Sequence, residues 1–143
     1  MQENLPIFLI DMLRKQYAEE TVNNIIEGYS KQRKTTFRVN TLKTNTESVI
    51  KILEQKNISY QKVLWSNEAF IIENAYEKDI EQLEIYKNGE IYMQSLSSML
   101  PPIVLEPKQN ADILDMAAAP GGKTTQIAAL TENKANITAC EMN

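Results

Sequence analysis

The chain has 143 residues, 43% apolar and 24% charged, the balance of a globular protein with room for one ordinary domain, or for a small domain and part of another. Its formal charge is −4 and it has no histidine, which excludes His-ligated metals, Ser-His-Asp triads and Cys-His pairs from anything the chain does alone. No apolar run nears the ~18 residues of a membrane span, Met1-Gln-Glu-Asn-Leu-Pro6 lacks the basic region of a signal peptide, and the one cysteine allows no intrachain disulfide, so a cytoplasmic protein with no membrane partner is expected.

The first thirty residues predict two helices. Asn4 can cap the first, Pro6 suits its first turn, and Phe8, Leu9, Met12, Leu13 and Tyr17 repeat at helical spacing. Val22, Ile25, Ile26 and Tyr29 continue that spacing after Thr21. A basic connector, Lys31 to Lys34, precedes a strand over Thr35–Asn40 with Phe37 and Val39 on one face and Arg38 on the other. Thr44 and Glu47 make a capping-box pattern opening a helix to about Lys56, with Val49, Ile50 and Leu53 inward. Two short strands, Tyr60–Trp65 and Ala69–Ile72, flank a turn at Ser66-Asn-Glu68. An acidic helix over Asp79–Tyr86 stops at Asn88-Gly89, and Glu90–Gln94 is a brief strand. Ser95–Leu105 is a helix whose Pro101-Pro102 must sit in its first turn or kink it.

The net charge conceals a division. Residues 31–65 carry eight basic side chains against Glu47 and Glu54, and residues 66–107 carry eight acids against Lys78 and Lys87. Such a pair of segments is either a polyanion-binding face beside an acidic one, or two solvated faces that partly neutralise each other. Lys31, Arg33, Lys34 and Arg38 are the candidate RNA contacts on the first reading.

The stretch from Asp112 to Gln126 reads as strand, small-residue turn and helix, the way an α/β sheet presents backbone N–H groups to a ligand. Ile113-Leu-Asp115 ends the strand, Ala117, Ala118, Ala119, Pro120, Gly121 and Gly122 form the turn, and Lys123 begins the helical pattern. A second strand, Ile137–Cys140, ends at Glu141, where an acid commonly takes ribose hydroxyls. Gly122-Lys123-Thr124 fits the end of a P-loop, but Ala117 stands at its first glycine and Pro120 removes a needed N–H. S-adenosylmethionine suits the turn better, with close backbone for its aminoacyl end and an acid for its ribose. A ligand-free structural turn is the remaining alternative. Cys140, on a strand, reads as buried packing. No metal site is expected.

Asp115-Met-Ala-Ala-Ala-Pro-Gly-Gly-Lys-Thr124 resembles the first motif of the RNA cytosine-5 methyltransferases of the Sun/Fmu type, whose pattern is roughly D-x-C/A-A-A-P-G-G-K-T. Gly89-Glu-Ile-Tyr-Met-Gln-Ser-Leu-Ser-Ser-Met99 resembles the family's G-x-x-Y-x-Q-x-x-x-S-M segment, and Phe37-Arg-Val-Asn-Thr-Leu-Lys43 its R-V-N-T-L-K strand. The resemblance is weakest over residues 1–30 and 56–88, and it extends to the bacterial RsmF-like ribosomal RNA members of the family. It implies an α/β protein: a small N-terminal α+β RNA-recognition domain over residues 1–94, then the start of a Rossmann-like methyltransferase domain over residues 95–143. It also implies an S-adenosylmethionine pocket lined by Ala117 to Lys123, with Lys123 facing the methionine carboxylate and Glu141 the ribose. The partner would be RNA, ribosomal most readily and transfer RNA otherwise. Family chemistry uses a cysteine that attacks C6 of cytosine, held in P-C-S-G and T-C-S motifs. Neither occurs here, so the chain is expected to be an N-terminal fragment without activity of its own. The competing classes are a non-catalytic RNA-binding module and a P-loop nucleotide-binding protein.

Overall fold

A computed structural model describes residues 5–31 and 33–142. The cap expected of Asn4 lies outside them. The chain divides into two compact units, residues 1–33 and 34–143, so the boundary expected at 94/95 falls inside the second unit. Among the described residues, no helix is long and apolar enough to cross a membrane.

The first unit holds helices α1 (Ile7–Gln16) and α2 (Glu19–Ser30). Pro6 caps α1 from outside, its carbonyl accepting from the Leu9 and Ile10 N–H groups. α2 begins at Glu19, where Glu19 and Glu20 favour the positive end of the helix dipole and Glu19 is held by Arg14 at 2.9 Å. Val22 is buried, but Phe8, Met12 and Tyr17 of the expected α1 face stay largely exposed.

The second unit runs β1 (Thr36–Val39), α3 (Thr46–Gln55), β2 (Tyr60–Val63), β3 (Ser66–Ile72), short helices α4 (Glu77–Glu81) and α5 (Glu84–Lys87), β4 (Ile91–Met93), α6 (Leu96–Leu105), β5 (Asp112–Asp115), α7 (Gly122–Leu130) and β6 (Asn136–Ala139). The cap of α3 is Asn45, whose side chain accepts from Ser48 N–H at 2.9 Å, one residue after the expected Thr44. The β2–β3 turn sits at Leu64-Trp65, and Ser66 to Glu68 already belong to β3. The single acidic helix expected over 79–86 is two short ones, broken at Gln82-Leu83, with Asp79 accepting from Tyr76 N–H at 2.8 Å.

The first four strands form an antiparallel sheet in the order β2-β3-β1-β4. Pairing Phe37 with Phe70 and Val39 with Ile91 gathers apolar side chains on one face, which buries Phe37, Val39, Phe70, Ile72 and Ile91 with Val49 and Leu53 of α3, Ile80 of α4 and Ile85 of α5. The Phe37 and Phe70 rings stack at 5.4 Å. Burying these nine side chains supplies on the order of 15–25 kcal/mol before conformational entropy is subtracted. The opposite face is covered too. Val63 and Ala69 pack there with Met99 of α6, Ile71 and Leu96, and Arg38 of β1 reaches α7.

β5 and β6 make a separate parallel pair, Asp112 beside Asn136 through Asp115 beside Ala139. Two strands and α7 cover little of such a sheet. Leu114, Met116 and Met142 are accordingly 57%, 77% and 97% exposed. Cys140 is exposed as well, which corrects the reading of it as buried packing.

Candidate functional site: the turn between β5 and α7

β5 delivers Asp115 to the mouth of the turn, where its carboxylate joins the strand end to the helix start. One oxygen accepts the Ala117 N–H at 3.2 Å and the other accepts the Thr124 hydroxyl at 2.6 Å, tying the strand end to the first turn of α7. Gly121 N–H donates to Ala118 O at 2.6 Å, and Gly121 takes φ +105, where side chains are strained. The Ala119–Pro120 peptide is cis.

Glu141 comes directly after β6 and meets the turn from the neighbouring strand. Its carboxylate accepts the Ala119 N–H at 3.0 Å and the Met142 N–H at 2.8 Å. Ala118 N–H donates to Cys140 O, and Cys140 N–H to Asp115 O. The structure thus brings Ala117, Ala118, Ala119, Pro120, Gly121, Gly122 and Glu141 into one neighbourhood. Lys123 lies half-buried at the start of α7, on a groove of about 350 Å3 shared with Pro102, Leu105, Leu114, Asp115 and Ala117. No side chain caps α7, so its first-turn N–H groups are the donors an anionic group would meet.

The back of the turn is held by the antiparallel sheet. Tyr92 of β4 donates its hydroxyl to Pro120 O at 2.9 Å. Thr125 donates its hydroxyl to Gly121 O at 2.7 Å and its N–H at 2.9 Å. Arg38 donates from Nη2 to Gly122 O at 3.2 Å and to Thr125 Oγ1 at 2.7 Å. Of three consecutive carbonyls, those of Pro120 and Gly122 are therefore held from the sheet, and that of Gly121 between them is held by α7 itself. Gly122 packs so closely there that an added Cβ would lie 3.3 Å from Gln94 Cδ and 3.4 Å from Tyr92 Cε1.

Arg38 corrects an expectation. Strand alternation does put it opposite Phe37 and Val39, but that face is covered by α6 and α7, leaving Arg38 3% exposed and withdrawn from any RNA surface. Its Nε donates to Gln94 Oε1 at 2.9 Å, and its guanidinium lies 5.2 Å from the centre of the Tyr92 ring. None of the ion pairs among the described residues includes it. Burial without a carboxylate lowers its pKa to about 10, with Tyr92 opposing the shift.

Gln94 links this arrangement to α6. Pro102 lacks an N–H, which frees the carbonyl four residues back, Ser98 O. Gln94 Nε2 donates to that carbonyl at 3.0 Å and to Gln126 Oε1 at 3.0 Å. Gln126 Nε2 in turn donates to Met99 O at 3.0 Å. Both prolines thus lie past the first turn of α6, and a glutamine side chain replaces one missing helix bond. Tyr92 and Gln94 are the tyrosine and glutamine of the G-x-x-Y-x-Q segment, but their bonds to Pro120, Arg38 and Gln126, like those joining Thr125 to Arg38 and Gln126 to Gln94, span 28 or more positions and so escape a sequence reading.

Lys31, Arg33 and Lys34 are all exposed. Lys31 pairs with Glu27 at 2.8 Å, and Lys31 and Arg33 line a concavity of about 330 Å3 with Ile25, Gly28 and Tyr29. Among the described residues, no group of three His, Cys, Asp or Glu could hold a metal ion.

The chain matches two family models: a Methyltr_RsmF/B-like, ferredoxin-like domain over residues 5–79, and the 16S rRNA methyltransferase RsmB/F model over residues 102–143. The strand order β2-β3-β1-β4 with α3 between the first two strands is the ferredoxin-like arrangement. The chain is 46% identical over 103 residues to the tRNA (cytosine(49)-C(5))-methyltransferase of Pyrococcus abyssi, a match covering 71% of this chain and 32% of that protein. It is 34% identical over 137 residues to ribosomal RNA small subunit methyltransferase F of Shewanella sp. (strain ANA-3), covering 94% of this chain and 28% of that protein. It therefore spans about a third or less of the length of these curated relatives. Among solved structures, a methyltransferase homolog protein from Pyrococcus horikoshii is similar at TM-score 0.76 and 33% identity, over 97% of this chain and 49% of that one. NSun6 from Pyrococcus horikoshii, in its crystal structure with SFG, shares the fold at TM-score 0.83 and 22% identity, over 100% of this chain and 60% of that one. Since the first family model alone matches more than half of the residues, the chain belongs to the RsmF/B-like methyltransferase family.

Proposed function

We propose that the whole protein is a cytoplasmic enzyme that methylates C5 of cytosine in RNA, with S-adenosylmethionine as methyl donor and ribosomal RNA as the favoured substrate. The observation that carries this reading is the meeting of Glu141 with the Asp115–Lys123 turn: an acid at the end of β6, its carboxylate 3.0 Å from Ala119 N, beside an uncapped helix start. These residues fit the cofactor. The α7 N–H groups and Lys123 suit its carboxylate, Glu141 suits its ribose hydroxyls, and exposed Met116 and Ala117 supply apolar surface. When bound, the cofactor supplies an electrophilic methyl group. The residues of this chain orient it: Asp115 fixes the turn, and Glu141 and α7 hold its two polar ends. By family resemblance the cytosine-attacking cysteine belongs to P-C-S-G and T-C-S motifs, which these 143 residues do not contain. Lys31 and Arg33, exposed beside Tyr29, and exposed Lys34 are the cations proposed to hold RNA phosphates.

The P-loop alternative fits poorly. A phosphate cradle needs outward N–H groups, yet those of Ala117, Ala118, Ala119 and Gly121 are all spent on internal acceptors and Pro120 has none. The test is transfer of labelled methyl groups from S-adenosylmethionine to ribosomal and transfer RNA by the full-length protein, then nucleoside analysis. Label in 5-methylcytosine supports the reading; ATP binding with no methyl transfer refutes it.

A further inference from the structure

Arg38 is a buried cation on a strand far from the turn in sequence, and every acceptor it meets among the described residues is neutral: Gln94 Oε1, Gly122 O and Thr125 Oγ1. Burying a guanidinium among neutral groups is costly compared with an apolar side chain of similar size. The position needs what an apolar residue cannot give. Two features show what that is. Gly122 O, which Arg38 holds at 3.2 Å, belongs to the peptide whose N–H is that of Lys123, and a trans peptide plane sets the two in opposite directions. Pro120 O, which Tyr92 holds at 2.9 Å, lies on the other side of Gly121, the residue in the strained left-handed region. The Arg38 guanidinium in turn rests over the Tyr92 ring.

We propose that Arg38 and Tyr92 are positioning residues for the cofactor turn: from the antiparallel sheet Arg38 pins the Gly122 carbonyl and so aims the Lys123 N–H, in the first turn of α7, at the cofactor's carboxylate, while Tyr92 pins the Pro120 carbonyl and so holds the Gly121 cap from which α7 starts. This rests on the reading of the turn as the S-adenosylmethionine site. Arg38 adds a fixed positive charge behind the helix start, reinforcing the dipole for an anionic ligand group. Neither residue touches the ligand. The cofactor site is thereby anchored to the ferredoxin-like sheet, not to its own sheet alone.

The test uses the full-length protein and two probes, S-adenosylhomocysteine and adenosine, measured by calorimetry. Adenosine shares the ribose end but lacks the carboxylate. Arg38→Met should weaken S-adenosylhomocysteine by at least about tenfold and adenosine by less than about threefold, with Arg38→Lys recovering part of the loss. Tyr92→Phe, which removes one hydroxyl from a half-buried ring, should weaken S-adenosylhomocysteine by about 2–10-fold. If Arg38→Met does not fold, Arg38→Lys and Tyr92→Phe decide the matter. Unchanged S-adenosylhomocysteine affinity in these variants, or equal losses for both probes, overturns the proposal. Wild-type protein that binds neither probe overturns the cofactor reading beneath it.

Discussion

Replacing Gln94 with leucine tests the polar seam between the antiparallel sheet and α6–α7. Leucine keeps nearly the shape but can neither accept nor donate. Arg38 Nε, Ser98 O and Gln126 Oε1 would each lose a partner now within 2.9–3.0 Å. A buried polar group left unsatisfied costs about 1–3 kcal/mol, more where it is charged. Gln94 is 8% exposed, so water cannot readily substitute. Allowing for relaxation, the loss should be about 3–6 kcal/mol, a large share of the ~5–15 kcal/mol that holds a domain together. For a unit of this size that is a fall in melting temperature of about 10 °C or more. Gln94→Glu is the informative control: its carboxylate still accepts from Arg38, but both donors are gone and Ser98 O and Gln126 Oε1 face a negative charge. It should fall between wild type and Gln94→Leu. Thermal melts, with hydrogen exchange over β1 and α6, report the effect. A melting shift below about 2 °C for Gln94→Leu would refute the claim that these bonds are dry and mutually dependent.

The two adjacent glycines should fail differently. Gly121→Val forces a branched side chain to φ +105 at a cost of about 1–3 kcal/mol and should abolish S-adenosylmethionine binding, whereas Gly122→Ala pushes Gln94 and Tyr92 and should show first as lost thermal stability; calorimetry beside melting curves separates the two. Glu141→Ala should weaken cofactor binding by about 1.5–3 kcal/mol per lost charge-assisted bond, read by calorimetry on the full-length protein. The Arg38 pKa in the folded protein, about 10, is below its ordinary value, so the burden of burying its charge is fully present below pH ~10 and eases only as pH rises through and beyond it; its contribution to stability should be flat from pH 6 to 8 in melting curves. Charge reversal at Lys31, Arg33 and Lys34 should lower RNA affinity and flatten its salt dependence without unfolding, and identical slopes for wild type and variant would mean RNA is held elsewhere.

The features legible in the sequence were local ones. The turn was legible because all its parts lie between Asp115 and Thr124, and Glu141 sits at the distance a βαβ unit sets. The inward face of β1 was legible because alternation puts Phe37 and Val39 together whatever lies outside. Alternation could not say what covers the other face. That depended on α6 and α7, contributed by residues beyond the strands, and it turned Arg38 from an expected surface cation into a buried donor 87 positions from Thr125. Cys140 erred in the opposite direction. A strand residue beside apolar neighbours looks buried, but burial requires a layer on top, and the β5–β6 pair has little of one here.

The choice of glutamine at position 94 reflects the same three-dimensional demand. Its neighbours pose conflicting requirements: Arg38 needs an acceptor, while Ser98 O, stripped of its helix partner by Pro102, and Gln126 Oε1 both need donors. A carboxylate satisfies the first and repels the other two. A lysine does the reverse, and sets a second buried cation against Arg38. A hydroxyl has one proton to give, not two. Only an amide side chain carries an acceptor and two N–H donors on one rigid plane, and asparagine is a methylene shorter. Asparagine at this position should therefore lose part of the network and histidine, with one donor when neutral, should lose more. A stability order of Gln94 wild type above Gln94→Asn above Gln94→His would support that stereochemical account, and a histidine variant as stable as wild type would refute it.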